Sequence, residues 1–393
     1  MEIKEAGFEL LDDFFSSGVS CGIKNEGLDL GVIYAKCDTN AAAVFTSNSI
    51  KAAPVRLSKL TLSKNKNIRA IVVNSGNANA CTGKIGMEHA KTMQRETAKA
   101  LNIAKDQVLV ASTGVIGRVM PIDNVILGIT RAKEALHSNS GFSKAIMTTD
   151  RVEKKLSIHA RDENGKDFTI AAVMKGSGMI APKLEATMLC FVLTDYSLSQ
   201  DALQRYLISA VDKSFNIAIV DGDMSTNDTV FLLAPASNKE VESSAQFSLA
   251  LTTLLIEMAK RMVRDGEGAT KLFEVKVIRA MSESKARSIA RAIVRSPLVK
   301  SAVFGNDPNW GRIISAAGSV ADIDEEKIRV TFSDGKNNVV MYPIKNKEEK
   351  VKSIMSLDYF QIIFDLGEGE CTSEAFGCDL TYDYVKINAK YTT

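Results

Sequence analysis

The chain has 393 residues, 45% hydrophobic and 24% charged, the balance of a soluble globular protein with room for one large or two ordinary domains. Its 49 basic and 47 acidic residues leave a formal charge of +2, so there is no electrostatic case for nucleic acid, and the basic stretches 64–66 and 345–352 read as solvated loops. No run reaches about 18 uninterrupted apolar residues and residues 1–8 lack an apolar signal core, so the expected location is cytoplasmic, with no membrane span.

Short apolar runs bounded by Gly, Asn or Ser read as strands. The first, 69–74, ends in Asn74-Ser75-Gly76-Asn77-Ala78-Asn79-Ala80. Residues 87–101 place Met87, Ala90, Ala98 and Leu101 near one face and Glu88, Arg95, Glu96 and Lys99 on the other, as an amphipathic helix does. The strand 108–112 runs into Ser112-Thr113-Gly114-Val115-Ile116-Gly117-Arg118. Strands at 168–174 and 188–194 flank a Gly-rich segment, and those at 217–220 and 229–233 flank Asp221-Gly222-Asp223-Met224-Ser225-Thr226-Asn227-Asp228. Leu251, Leu254, Leu255, Met258 and Met262 set a helix over 247–264 that stops before Gly266. A strand at 271–280 precedes a helix at 282–295, ended by Ser296-Pro297, and Val385-Lys386-Ile387 reads as a final strand. Strands and helices alternate without a strict βαβ rhythm, which predicts a layered α+β fold and not a doubly wound sheet. Neither repeats nor Pro/Ser-rich linkers mark a domain boundary; the best break lies near 280.

The segment 175–190 is the most informative. Its Gly-rich turn, Lys175-Gly176-Ser177-Gly178, leads through Pro182 to Ala186-Thr187 and then into strand-formers. A threonine between a loop and a buried strand is where a chain can cut itself, its hydroxyl attacking the preceding carbonyl. Cleavage would leave Thr187 as an N-terminal nucleophile whose own α-amine acts as base. That amine has an ordinary pKa of about 7.7–8.0, so it accepts a proton near neutrality. Taken alone, the pattern is also that of an ordinary turn before a strand.

Other segments agree with the first reading. The two loops after 69–74 and 108–112, Met147-Thr148-Thr149-Asp150, residues 220–228, Asp265-Gly266-Glu267-Gly268-Ala269-Thr270-Lys271, Asn306-Asp307-Pro308-Asn309-Trp310-Gly311-Arg312 and the C-terminal Ile387-Asn388-Ala389-Lys390-Tyr391-Thr392-Thr393 occur in this order. Together they resemble the ornithine acetyltransferase (glutamate N-acetyltransferase) family of arginine biosynthesis, nearly end to end. One spacing departs from that pattern: Lys183-Leu184-Glu185, between Pro182 and Ala186, is one residue longer than usual. The resemblance implies an α-β-β-α layered sandwich similar to N-terminal-nucleophile enzymes, with a smaller C-terminal α/β lobe. It implies cleavage between Ala186 and Thr187 into an α chain, 1–186, and a β chain, 187–393, of which 187–280 completes the core and 281–393 forms the lobe. The implied reaction moves acetyl from N2-acetyl-L-ornithine to Thr187 and then to L-glutamate; in some members acetyl-CoA is a second donor. No other cofactor is implied. Thr113 and Gly114 would form the oxyanion hole, and Thr149, Lys175, Thr187, Glu267, Asn388 and Thr393 would contact substrate. An assembly of two α and two β chains is expected.

Six cysteines without a CxxC pair and three scattered histidines predict free thiols and no metal. Gly176-Ser177-Gly178 lacks a dinucleotide fingerprint, Gly266–Lys271 has the wrong order for a phosphate loop, and Asp221-Gly222-Asp223 fits a turn better than a cation site. Two other readings differ in chemistry: an amidase or aminopeptidase on the same scaffold, with water as acceptor, and an uncleaved, non-catalytic protein.

Overall fold

Runs with no polar alternation are strands covered on both faces, and such strands belong inside a stack of layers. The computed structural model describes residues 1–65, 67–136, 140–181, 188–237, 239–343 and 347–390. In chain order its elements begin with β1 (Glu2–Lys4), β2 (Phe14–Val19), β3 (Leu30–Ala35), β4 (Thr39–Phe45), α1 (Ala53–Lys64), β5 (Ala70–Asn74), α2 (Gly83–Leu101), β6 (Val108–Ser112), α3 (Ile122–Glu134), α4 (Phe142–Ala145), β7 (Lys154–Arg161) and β8 (Asp167–Lys175). Then come β9 (Leu189–Thr194), α5 (Gln200–Asp212), β10 (Ala218–Ile219), β11 (Thr229–Pro235), α6 (Ala245–Arg264) and β12 (Leu272–Ala280). The chain continues through α7 (Glu283–Arg295), α8 (Pro297–Phe304), α9 (Trp310–Gly318), β13 (Arg329–Ser333), β14 (Asn338–Tyr342), α10 (Glu348–Met355), β15 (Tyr359–Asp365), β16 (Cys371–Cys378) and α11 (Tyr382–Lys390).

Two sheets stack face to face, one ordered β1-β7-β8-β9-β11-β4 and the other β2-β3-β5-β6. The period of two along each strand divides its side chains between layers. On β9, Leu189, Phe191 and Leu193 fill the space between the sheets, while Cys190 and Val192 face α5 and α6. On β5, Ile71 and Val73 enter the same inter-sheet core, and Ala70 and Val72 meet α1, α2 and α3. The result is the α-β-β-α sandwich expected. A third sheet, β10-β16-β12-β15-β13-β14, carries α7 on one face and shares one continuous core with α5 and α6. Both β10 and β12 precede residue 281, and β12 lies mid-sheet between β16 and β15.

Helix starts follow the capping rule that a Ser oxygen accepts an otherwise orphaned N–H. Ser244 Oγ accepts from Phe247 N (3.1 Å) and Ser282 Oγ from Lys285 N (3.2 Å). Ser296-Pro297 does end α7, and the same pair opens α8, with Ser296 Oγ accepting from Val299 N (3.3 Å) and Pro297 at the first helical position. The expected strand at 385–387 is instead part of α11. Three alternating residues are too few to define a strand, and Thr381 Oγ1 accepts the Tyr384 N–H at 3.3 Å while Asp383 occupies the first turn, both helix-start features. The six cysteines are unpaired; Cys21, Cys190 and Cys378 are buried, Cys37 and Cys371 half-buried and Cys81 exposed.

Candidate active site

Because β5 and β6 are parallel, their C-terminal ends lie at the same edge, and the two loops that follow interlock there. Thr113 N donates to Asn74 O (3.0 Å), Ala78 N to Val115 O (3.0 Å) and Gly117 N to Ala80 O (3.0 Å). Gly114 sits at φ +127°, and a Cβ there would lie 2.3 Å from Gly76 C and 2.5 Å from Asn77 N. Only glycine fits so close an approach of two backbones. Among the described residues no acceptor takes the Gly114 N–H, and Thr113 and Gly114 both line a cavity of about 130 Å³. The Asn227 side chain spans the two loops, donating through Nδ2 to Ala78 O (2.6 Å) and Ser112 O (2.8 Å).

A second wall comes from the end of β8. Lys175, only 8% exposed, lines the cavity with its Nζ 3.8 Å from Asp150 Oδ2. Asp150 also accepts from Lys154 Nζ (2.7 Å) and Gly176 N (2.7 Å), and Lys154 reaches Asp265 at 2.5 Å. Burial alone would raise the Asp150 carboxyl, but the charges of Lys175 and Lys154 hold it well below the carboxylate range. Removing one member of such a buried set strands the others, so the set fixes the start of the Gly-rich turn. Thr149 Oγ1 lies 2.7 Å from Ser177 Oγ in the same wall.

The third wall joins α11 to the loop between α6 and β12. Asn388 and Tyr384, one helical turn apart on α11, face the cavity with Glu267. Asn388 Nδ2 donates to Glu267 Oε2 (2.7 Å), and the Glu267 N–H donates to Ser177 O (2.9 Å). Gly178 leaves room for this carboxylate, since a Cβ there would be 2.4 Å from it. Asp221 accepts from the N–H groups of Met179 (2.6 Å) and Ile180 (2.9 Å), just before the chain enters 182–187. Its Asp-Gly-Asp segment is therefore a turn that ties down this loop. Asp228, 3% exposed, also lines the cavity; its Oδ2 has no hydrogen-bond partner among the described residues, and burial pushes its carboxyl well above the usual range.

Six of the residues singled out from the sequence, Thr113, Gly114, Thr149, Lys175, Glu267 and Asn388, thus line one cavity, together with Met188 and Leu189 at the start of β9. Ala186, Thr187 and Thr393 lie outside the described residues. Sequence reasoning assigned no role to Lys154, Asp228, Asn227 or Asp265. Asp228, Asn227 and Asp265 stood within segments already quoted, but Lys154 had no local signal.

The α-β-β-α stack with its polar cavity at the β8–β9 edge has the architecture of an N-terminal-nucleophile enzyme. The model of the ArgJ family matches residues 15–393, and the chain belongs to the ArgJ family. It is 45% identical over 406 aligned residues, covering 100% of both chains, to the arginine biosynthesis bifunctional protein ArgJ of Caldanaerobacter subterraneus subsp. tengcongensis. It is 46% identical, over 95% of both chains, to glutamate N-acetyltransferase of Methanococcus maripaludis. A crystal structure of arginine biosynthesis bifunctional protein argJ from Bacillus halodurans is 36% identical over 46% of this chain and 97% of that one, with a TM-score of 0.43.

Proposed function

We propose that the chain transfers acetyl from N2-acetyl-L-ornithine to L-glutamate through an ester on Thr187, after cleavage of the Ala186–Thr187 bond. The observation that carries this reading is the convergence of Thr113, Gly114, Lys175, Glu267 and Asn388 on one cavity whose wall continues into Met188, the residue after Thr187. In the first half-reaction Thr187 Oγ adds to the acetyl carbonyl while its proton passes to the Thr187 α-amine. The carbonyl oxygen, now an oxyanion, is received by the Gly114 N–H and the Thr113 hydroxyl. Collapse breaks the amide C–N bond, and the α-amine returns the proton to the leaving ornithine nitrogen. Glutamate's amine then attacks the ester, its proton goes to the Thr187 α-amine, and Thr187 leaves as the hydroxyl.

Both substrates carry an α-carboxylate, which suits the Lys175 ammonium and the Thr149 hydroxyl through charge-assisted bonds. Glu267, held by Asn388, would take an ammonium group, and Thr393 would complete the pocket. The sharing of one carboxylate site by donor product and acceptor fits a reaction that visits the same site twice. The names of the relatives, bifunctional ArgJ and glutamate N-acetyltransferase, support acetyl transfer in arginine biosynthesis; use of acetyl-CoA as a second donor is part of the proposal. We also assign the active form as two α and two β chains in the cytoplasm; among the described residues no helix is long and apolar enough to cross a membrane.

Intact-mass analysis with N-terminal sequencing tests the assignment. Fragments 1–186 and 187–393 are expected, and Thr187→Ala should remain one chain without transferase activity. An active Thr187→Ala variant would remove this residue from the mechanism. Ornithine release that requires glutamate supports transfer, and release in its absence would instead indicate hydrolysis.

A further inference from the structure

Helix α7 buries Ala286, Ile289, Ala290 and Ile293, and the four-residue spacing sets Arg287, Arg291 and Arg295 in a row along another face. That row borders a groove of about 1000 Å³ outside the catalytic cavity. Like charges stacked in this way repel, so their partners decide what the row is for. Arg287 is answered by Asp212 (2.6 and 2.7 Å) and Glu283 (3.2 Å). Arg291 donates to the backbone carbonyl of Asn216 and has no carboxylate partner among the described residues. Arg295 has no ion-pair or hydrogen-bond partner among the described residues. Burial, together with the charges of Arg295 and Arg287, brings the Arg291 guanidinium down to about 10. Two guanidinium groups without a carboxylate partner among the described residues therefore line a concave space, which Asp221 also lines while its carboxylate accepts the Met179 and Ile180 N–H groups. The exposed hydroxyls of Ser284 and Ser288 stand on the same helix, and Ile219, Ala316 and Val320 give the groove an apolar stretch.

We propose that this groove binds a phosphate-bearing small molecule, its phosphoryl oxygens taken by Arg291 and Arg295. Forked guanidinium donors beside hydroxyls are the chemistry that recognises phosphate. The volume exceeds what one phosphate fills and is of nucleotide scale, and the apolar stretch suits a base or similar group. Asp221 lines both the groove and the catalytic cavity, so the bound molecule would lie against the wall that also holds Met179 and Ile180.

Isothermal titration of the full-length protein with ADP and with inorganic pyrophosphate tests this. Saturable binding is expected, weakened about tenfold or more in Arg295→Glu and lost when Arg291→Gln is added, with acetyl transfer by Arg295→Glu unchanged. ADP binding much tighter than pyrophosphate would identify a nucleoside phosphate as the source; equal binding would identify free phosphate. Absence of binding by both probes, or equal binding by wild type and variants, would overturn the proposal. So would a change of oligomeric state in Arg295→Glu by sedimentation, which would assign the arginines to contact between copies of the chain. Melting curves of each variant separate loss of binding from loss of folding.

Discussion

Gly114 and Thr113 differ as probes of the same loop. Any side chain at Gly114 meets the Gly76 and Asn77 backbone, and a proline there would also need a negative φ in place of +127°. Substitution at that position would disturb the fold along with the amide. Thr113→Val keeps the shape and removes only the hydroxyl, so it should lower kcat by roughly 10²-fold with little change in melting temperature; an unaltered kcat would free Thr113 from the oxyanion role. Asp228 makes a pH-dependent prediction. Its carboxyl is raised in the folded chain, so the stability it contributes is full below the unfolded value of about 3.9 and is lost as pH rises through the folded value. Asp228→Asn cannot ionise. Its melting temperature, relative to wild type, should therefore climb as pH rises above about 4, and a constant difference would show that the folded carboxyl is not raised.

At the scale of elements, α11 shows how a short segment changes identity with its neighbours. Read alone, 385–387 alternates like a strand. In the structure Thr381 accepts the Tyr384 N–H and donates to Gly268 O at 2.7 Å, which both starts a helix and fastens it to the Glu267 loop. Thr381→Val should cost about 1 kcal/mol of capping and loosen Asn388 from Glu267, raising KM by about fivefold with kcat nearly kept. Initial rates over a range of acetylornithine concentrations check this, and an unchanged KM would detach α11 from substrate binding. The strands were easier to read. A continuous apolar run such as Leu189–Thr194 has nowhere to sit except between two layers.

For the whole molecule, the proposed cut falls between β8 and β9, which pair antiparallel from Ile170 with Thr194 to Lys175 with Leu189 in the middle of a six-stranded sheet. Fragments 1–186 and 187–393 should therefore co-elute from a sizing column in buffer and separate only in denaturant; separation without denaturant would contradict this central pairing. Much of this architecture was legible in the chain. Apolar runs and helical spacing predicted a layered α+β fold, because those signals are local, and the family that the ordered motifs resemble implied the α-β-β-α order and named Thr113, Gly114, Thr149, Lys175, Glu267 and Asn388. Tertiary structure alone decided that these six meet in one cavity and that Lys154 is buried against Asp150 and Asp265. It also decided that Asn227 spans two loops far away in sequence and that residues 382–390 are helical. Long-range pairing supplies their partners, and a residue's burial and hydrogen bonding depend on groups far away in the chain, such as Asn227 and Ala78, 149 positions apart.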